Sequence, residues 1–406
     1  MNVVLSSALS IFFNSCIYWA VSRETRCLFN AFWSVYFRYY VKSLIFANKN
    51  ERIKKNMGQI ISQPSALCFS SDIPDIVFST QDESATLKAN VVCGGDRIEV
   101  LAETVCPDIS HSVSLVDLSS LLELYAQQHL QVTLECSLED SAGVVSITPV
   151  TVLYAMVDVG ESVSSFTSSH FLTILDGVKL TSSGREERLY AYGATTAVVS
   201  ADVLLLSGEL TVVSGSITAA GTTGNISQFD VSPSYIASVL RVSGQMLRYV
   251  VESGERRQEF QMVTDDMPPS PSIIFVNSFG CQEFIHCTGT HQKDSKYSRT
   301  SVRMRSRLRN IKIEEDRQFK ANTGWLNNDM ALWADELFRS KEVYLWVDGV
   351  TGREIIITDS KSEISNDDNH MPSFEFTYSY AQRIHNVISP KHAGRVFDNT
   401  FDNTFR

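Results

Sequence analysis

The 406-residue chain is 44% hydrophobic and 20% charged, with a formal net charge of −11 and eight cysteines. That balance excludes a wholly disordered chain, a collagen and a disulfide-stapled mini-protein, and leaves room for roughly two to three folded domains. A net acidic chain also has the wrong sign for coating nucleic acid over its whole surface, although a local basic patch stays open.

Residues 1–56 differ from everything after them. They lack Gly, Pro and Asp, and they hold twelve aromatics against 29 in the remaining 350 residues. Eight Lys/Arg against two Glu give this segment +6, which leaves −17 for residues 57–406. Three readings compete. Val3 to Val21 is uncharged and close to the length of a spanning helix, but four serines and Asn14 interrupt it. Neither a basic n-region nor an A-x-A cleavage site accompanies it, as a secretory signal requires. The stretch Phe29 to Phe46 reads as an aromatic-basic helix lying on a membrane. The favoured reading is a leader that is not native protein: NKNERIKKNM, Asn48 to Met57, fits A-rich codons around a ribosome-binding site, with Met57 as the true start. Under that reading no membrane association is expected.

From Ile73 onward, short Val/Ile/Leu/Thr-rich runs are separated by Gly, Asp, Ser or Pro. Strands are expected at Ala85–Val92, Arg97–Val105, Val113–Val116, Leu130–Leu138 and Val144–Val157, forming a β-sandwich domain over 57–155. Leu118, Leu121, Leu122 and Tyr125 share one face behind Asp117, which predicts a helix with Asp117 as N-cap. A second β-rich domain, 156–264, has expected strands at Phe171–Leu175, Arg188–Tyr192, Ala197–Leu206 and Glu209–Ile217, then a loop from Ala219 to Ser227. Ser232-Pro233 opens a short helix through Leu240, and Gln245–Glu252 with Arg256–Val263 reads as a hairpin about Ser253-Gly254.

The third domain, 265–390, follows the breaker run Asp265 to Pro271 and opens with strand Ile273–Val276. Leu326, Met330, Trp333, Ala334, Leu337 and Phe338 form one apolar stripe, predicting a continuous helix over 326–339. A hairpin, Val343–Val347 and Arg353–Thr358, turns near Asp348-Gly349, and Phe374–Tyr380 alternates aromatic and polar residues. The fold class expected is mainly β: serial sandwich-like domains, the last decorated with one amphipathic helix. Residues 391–406 form a tail with the repeat FDNT.

No catalytic motif stands out. Gly-x-Ser-x-Gly, Gly-Lys-Ser/Thr, His-Glu-x-x-His and Gly-x-Gly-x-x-Gly are absent, so no cofactor and no enzyme activity are expected. Cys281, His286, Cys287 and His291 cluster in sequence. Adjacent His286 and Cys287 leave a strand on opposite faces, however, and no Cys-x-x-Cys pair accompanies them, so no metal site is expected. The acid pairs Asp265-Asp266 and Asp367-Asp368 do not fit a calcium loop, and Asn225-Ile226-Ser227 is a sequon of a kind common by chance. Arg303, Arg305, Arg307 and Arg309 recur at period two, which on one strand makes a ladder of four guanidiniums. Such a face is solvated or paired within the chain, meets an acidic partner across a subunit boundary, or takes a polyanion. Phe397, Phe401 and Phe405, four apart, either dock on a neighbour or belong to a frayed tail.

FVNSFGCQEF (275–284), CTGTH, KANTG (320–324), LFRSKEVYL (337–345), ITDSKS (357–362) and the closing GRVFDNTFDNTF together resemble β-rich tail proteins encoded by Bacteroidota prophages. The resemblance covers residues 70–406, is strongest after 270, and carries no assigned catalytic residue. It implies a virion tail-tip, hub or baseplate-like component, oligomeric and in contact with neighbouring tail proteins, with no nucleic acid bound. Arg303 to Arg309 and Phe397 to Phe405 are then the expected assembly contacts. A bacterial surface adhesin or glycan-binding module is the alternative; it needs an export signal and a concave aromatic patch, for which Trp325, Trp333, Tyr344 and Trp346 are available.

Overall fold

A computed structural model describes residues 58–263, 271–362, 364 and 371–382. The chain is mainly β and sandwich-like, with several sheets and a few short helices. Residues 1–56, expected to be a leader, and 391–406, expected to be a tail, lie outside the described residues, as do Asp265-Asp266 and Asp367-Asp368. No helix among the described residues is long and apolar enough to cross a membrane.

The first block holds β1 (Gln59–Ser62), β2 (Leu67–Phe69), β3 (Ile76–Ser79), β4 (Ala85–Cys93), β5 (Asp96–Val105), β6 (Ser112–Leu115), helix α1 (Leu118–His129), β7 (Gln131–Asp140), β8 (Gly143–Ser146) and β9 (Val150–Leu153). One sheet runs β1-β3-β6; the other runs β2-β9-β7-β4-β5, with β8 on β7. Strict alternation builds its core. Ala85, Leu87, Ala89, Val91 and Cys93 of β4 are buried, as are Val132, Leu134, Cys136 and Leu138 of β7. Each such leucine is worth about 2 kcal/mol of burial. Two expectations change here. The Val144–Val157 run is broken, because its centre, Thr148-Pro149, lies between β8 and β9 and Pro cannot donate to a ladder. Asp117 precedes α1 but does not cap it: it sits at φ 56 with no side-chain cap hydrogen bond.

The second block holds α2 (Val163–Ser169), β10 (Val178–Thr181), β11 (Arg188–Tyr192), β12 (Thr196–Leu205), β13 (Leu210–Thr218), β14 (Gly221–Thr223), β15 (Ile226–Asp230), α3 (Pro233–Leu240), β16 (Gly244–Ser253) and β17 (Arg256–Met262). Its sheets run β10-β17-β16-β12-β13 and β11-β15-β14. Phe171–Leu175 is not a strand. Phe171 and Leu172 are buried from an irregular path that follows α2, a helix capped by Ser162. The Ala219–Ser227 loop is shorter than expected, because β14 and β15 pair within it.

The third block holds β18 (Ser272–Val276), β19 (Gln282–His286), β20 (His291–Met304), β21 (Arg307–Asn322), α4 (Asn328–Ala334), α5 (Glu336–Arg339), β22 (Val343–Val347), β23 (Val350–Lys361) and β24 (Glu375–Tyr380). One seven-stranded sheet runs β19-β18-β22-β23-β24-β21-β20. The single helix expected over 326–339 is two. Asn327 caps α4 by accepting from Met330 N at 2.7 Å, and at Asp335 the bonding tightens, Phe338 N donating to Asp335 O at 3.1 Å. The apolar stripe survives the break, with Leu326, Met330, Trp333, Ala334 and Leu337 all buried.

The blocks are serial in sequence but not independent in packing. Phe69, Leu153, Phe166, Tyr190, Phe279 and Cys281 belong to one apolar cluster drawn from all three. Gly280, at φ +75, lies where a Cβ would come within 2.6 Å of Leu130 and 2.9 Å of Tyr154, so only glycine lets the third block approach the first this closely.

Candidate functional site

Beyond its base, the β20–β21 hairpin leaves the sheet as a two-stranded arm. β21 pairs with β24 only over Phe319–Asn322, whereas β20 and β21 pair with each other from His291↔Ala321 out to Met304↔Arg307. The projecting part is about 40 Å long at ~3.3 Å per residue. Its anchorage is aromatic: Phe319 stacks on Tyr378 with centroids 5.1 Å apart, and His291 shares a hydrogen bond of 2.8 Å with the Tyr378 hydroxyl. Along the arm the polar contacts close locally. Arg317 donates to both Glu315 oxygens at 2.8 and 2.9 Å, which lowers the Glu315 carboxyl below its usual range, and Arg299 lies over the Tyr297 ring.

The guanidinium ladder expected on one strand does not form. Arg305 and Ser306 are the turn, both at positive φ (49 and 65), the conformation of a two-residue hairpin loop. Such a loop pairs odd positions with even ones: Arg303 faces Leu308, and Val302 faces Arg309. Arg307 and Arg309 therefore share a face with Met304 and Val302, Arg303 lies on the opposite face, and Arg305 caps the tip. None of these four arginines has an ion-pair partner among the described residues. Apolar side chains are interleaved with them, Leu308 at 69% exposure, Ile311 at 62% and Met304 at 57%. Sequence reading passed over Ile311 and Ile313 because a bulge between Thr300 and Ser301 interrupts the alternation. Phe397, Phe401 and Phe405 lie outside the described residues.

A second polar concentration is buried. Lys179 Nζ lies 2.7 Å from Glu187 Oε2, with side chains 6% and 0% exposed; it donates to Phe284 O at 3.0 Å and sits over the Trp333 ring. Burial pushes the Glu187 carboxyl up, and Lys179 offsets part of that rise. His286 Nε2 lies 3.0 Å from the Glu186 carbonyl, which can only accept, so that nitrogen carries the proton and Nδ1 accepts from Ser272. Burial, then Arg185 and Lys179, push His286 down to about 3, so the ring is neutral. Nearby, Trp333 Nε1 and Asn277 Nδ2 both donate to Glu283, and Ser278 N donates to Glu336 Oε1 at 3.0 Å. Burial and then the Glu283 charge raise Glu336 to about 7. Most of these contacts close inside the packing, although Lys179, His286 and Trp333 also line a small recess, and Glu336 Oε2 is buried with no hydrogen-bond partner among the described residues.

The sequence cluster Cys281, His286, Cys287 and His291 is dispersed. Cys281 belongs to the cluster shared by the three blocks, Cys287 to the core of the third, and His291 to the base of the arm. No group of three or more His, Cys, Asp or Glu suited to a metal ion occurs among the described residues. A small recess beside this region is lined by Lys179, Arg185, His286, Thr288, Thr323 and Trp325. Trp325 is 66% exposed, whereas Trp333 is fully buried.

No protein-family model matches the chain, and no curated protein does. Among solved structures, similarity extends to the Bacteroides ovatus mixed-linkage glucan utilization locus protein SGBP-B in complex with a mixed-linkage heptasaccharide. That match has 12% identity, covers 77% of this chain and 75% of that one, and has a TM-score of 0.16. It extends also to the full extracellular region of plexin A4, at 8% identity, 82% and 37% coverage and a TM-score of 0.17. At such TM-scores neither match bears on function.

Proposed function

We propose that this chain is a non-enzymatic structural component of a phage-type tail, of the tail-tip, hub or baseplate kind, acting through oligomeric assembly in the virion. The observation that carries the reading is the arm. A lone two-stranded ribbon is marginal in water, and one with Met304, Leu308 and Ile311 exposed leaves apolar surface that a neighbour's packing would cover. Serial β blocks locked through a shared apolar cluster make a stiff body from which such an arm reaches outward. The motifs from Phe275 to Ser362 and the closing GRVFDNTFDNTF, which resemble prophage tail proteins, support the same reading. Light scattering of the full chain over a concentration series, with negative-stain images, tests it. A discrete ring or closed oligomer is expected; a strict monomer at every concentration overturns it.

The exposed Trp325 beside a polar recess favours a second reading, a glycan-binding module of the bacterial surface. Quenching of tryptophan fluorescence by an oligosaccharide, abolished in Trp325→Ala, would support that alternative.

A further inference from the structure

Resting on that assembly reading, we propose that the distal half of the arm docks on the open β5 edge in the first block of a second copy of this chain. Two opposite charge concentrations motivate it. From Arg299 to Ile313 the arm carries Arg299, Arg303, Arg305, Arg307, Arg309 and Lys312 and no acid. Residues 57–155 carry thirteen Asp/Glu against two cations, and both cations are engaged: Lys88 with Glu139 at 2.8 Å and Arg97 with Glu135 at 2.7 Å. The first block is thus the acidic body and the arm tip the basic projection of one molecule.

The landing place follows from the sheets. A strand at a sheet edge offers unpaired backbone N–H and C=O groups to an incoming strand. Among the described sheets, β5 is the terminal strand with several exposed carboxylates: Asp96, Glu99 and Glu103, with Ile98 exposed between them. The other terminal strands differ. β1, β6, β10 and β13 contain no acid, and Glu283 of β19 is buried. The one cation on β5, Arg97, is turned to Glu135 at 2.7 Å, so the arm supplies guanidiniums for Asp96, Glu99 and Glu103, apolar side chains for Ile98, and in β20 a free strand edge of its own. The contact joins different surfaces on the two copies, so it propagates head to tail and closes only as a ring.

The test is a charge-reversal mixing experiment by sedimentation velocity on the full chain. The arm variant is Arg303→Glu, Arg305→Glu, Arg307→Glu and Arg309→Glu; the edge variant is Asp96→Lys, Glu99→Lys and Glu103→Lys. Each alone is expected to lose self-association by at least about a hundredfold, with an unchanged melting profile. Mixed one to one, they are expected to recover assembly beyond a dimer, because the native arm of one still meets the native edge of the other and the reversed arm faces a reversed edge of opposite sign. If reversal disturbs the fold, the four Arg→Gln changes remove charge alone and should weaken association in the same direction. Wild-type assembly that the arm variant retains in full overturns the docking proposal and leaves the assembly reading standing. Loss in both variants with no recovery of association on mixing overturns β5 as the landing edge. A wild-type chain that stays monomeric, or that shifts a DNA oligonucleotide instead, overturns both.

Discussion

Replacing Lys179 by Met removes one half of a sealed ion pair. The ammonium and the Glu187 carboxylate are 2.7 Å apart with almost no solvent exposure, so the substitution leaves a buried charge without its partner. The expected loss is about 3–5 kcal/mol, the range for breaking a buried pair from one side. It includes the lost donation to Phe284 O and the contact with the Trp333 ring. The double variant Lys179→Met/Glu187→Leu exchanges both charges for apolar volume and should recover most of that loss. The loss in the single variant should also depend on pH. Without Lys179 the Glu187 carboxyl keeps the rise that burial imposes. A raised carboxyl contributes stability that is fully present below the unfolded value and is lost as pH rises through the folded one. The deficit should therefore be smallest near pH ~4 and should grow toward pH ~8. Urea unfolding monitored by tryptophan fluorescence at several pH values measures all three effects. A single-variant cost under ~1 kcal/mol, or a double variant as unstable as the single, would refute the reasoning.

Glu336 is expected to make wild-type stability fall as pH rises through about 7, since its folded value stands above its ordinary one. Glu336→Gln should flatten that limb and gain on the order of 2–3 kcal/mol above pH ~8, read from urea midpoints. Arg305→Asn with Ser306→Gly supplies residues suited to positive φ at both turn positions. Slower amide exchange at the arm tip, by about 0.5–1 kcal/mol, is expected, with exchange in the body unchanged. Gly280→Ala forces a methyl against Leu130 and Tyr154 and should cost about 2–4 kcal/mol in thermal melting. A cost below ~0.5 kcal/mol would mean that the contact between blocks relaxes freely.

Where the pattern is local, the sequence could be read. The alternation of β4 and β7, the face of α1 and the Pro233 start of α3 follow from spacing alone. Where long-range packing decides, it could not. Phe171–Leu175 has the composition of a strand, yet Phe171, Leu172 and Leu175 enter three different cores from an irregular path. The stripe from Leu326 to Phe338 is continuous whether or not the helix tightens at Asp335, so periodicity was blind to the break. The arm was the costliest miss. Arg305-Ser306 lacks the Asn-Gly or Asp-Gly that marks a two-residue turn, so a hairpin read as one strand and four arginines as one face. Conversely, Asp348-Gly349 does have that signature, and its hairpin was legible.

The arm is joined to the β-sheet through β24 over four residues, Phe319 to Asn322, and steadied by the stack of Phe319 on Tyr378. That arrangement is a lever with a short root. A tilt of only ~10° there sweeps the tip through about 7 Å, given a projection of ~40 Å. Small adjustments in the packing of the Phe319 and Tyr378 rings would thus translate into ångströms of displacement at the tip without reshaping the body.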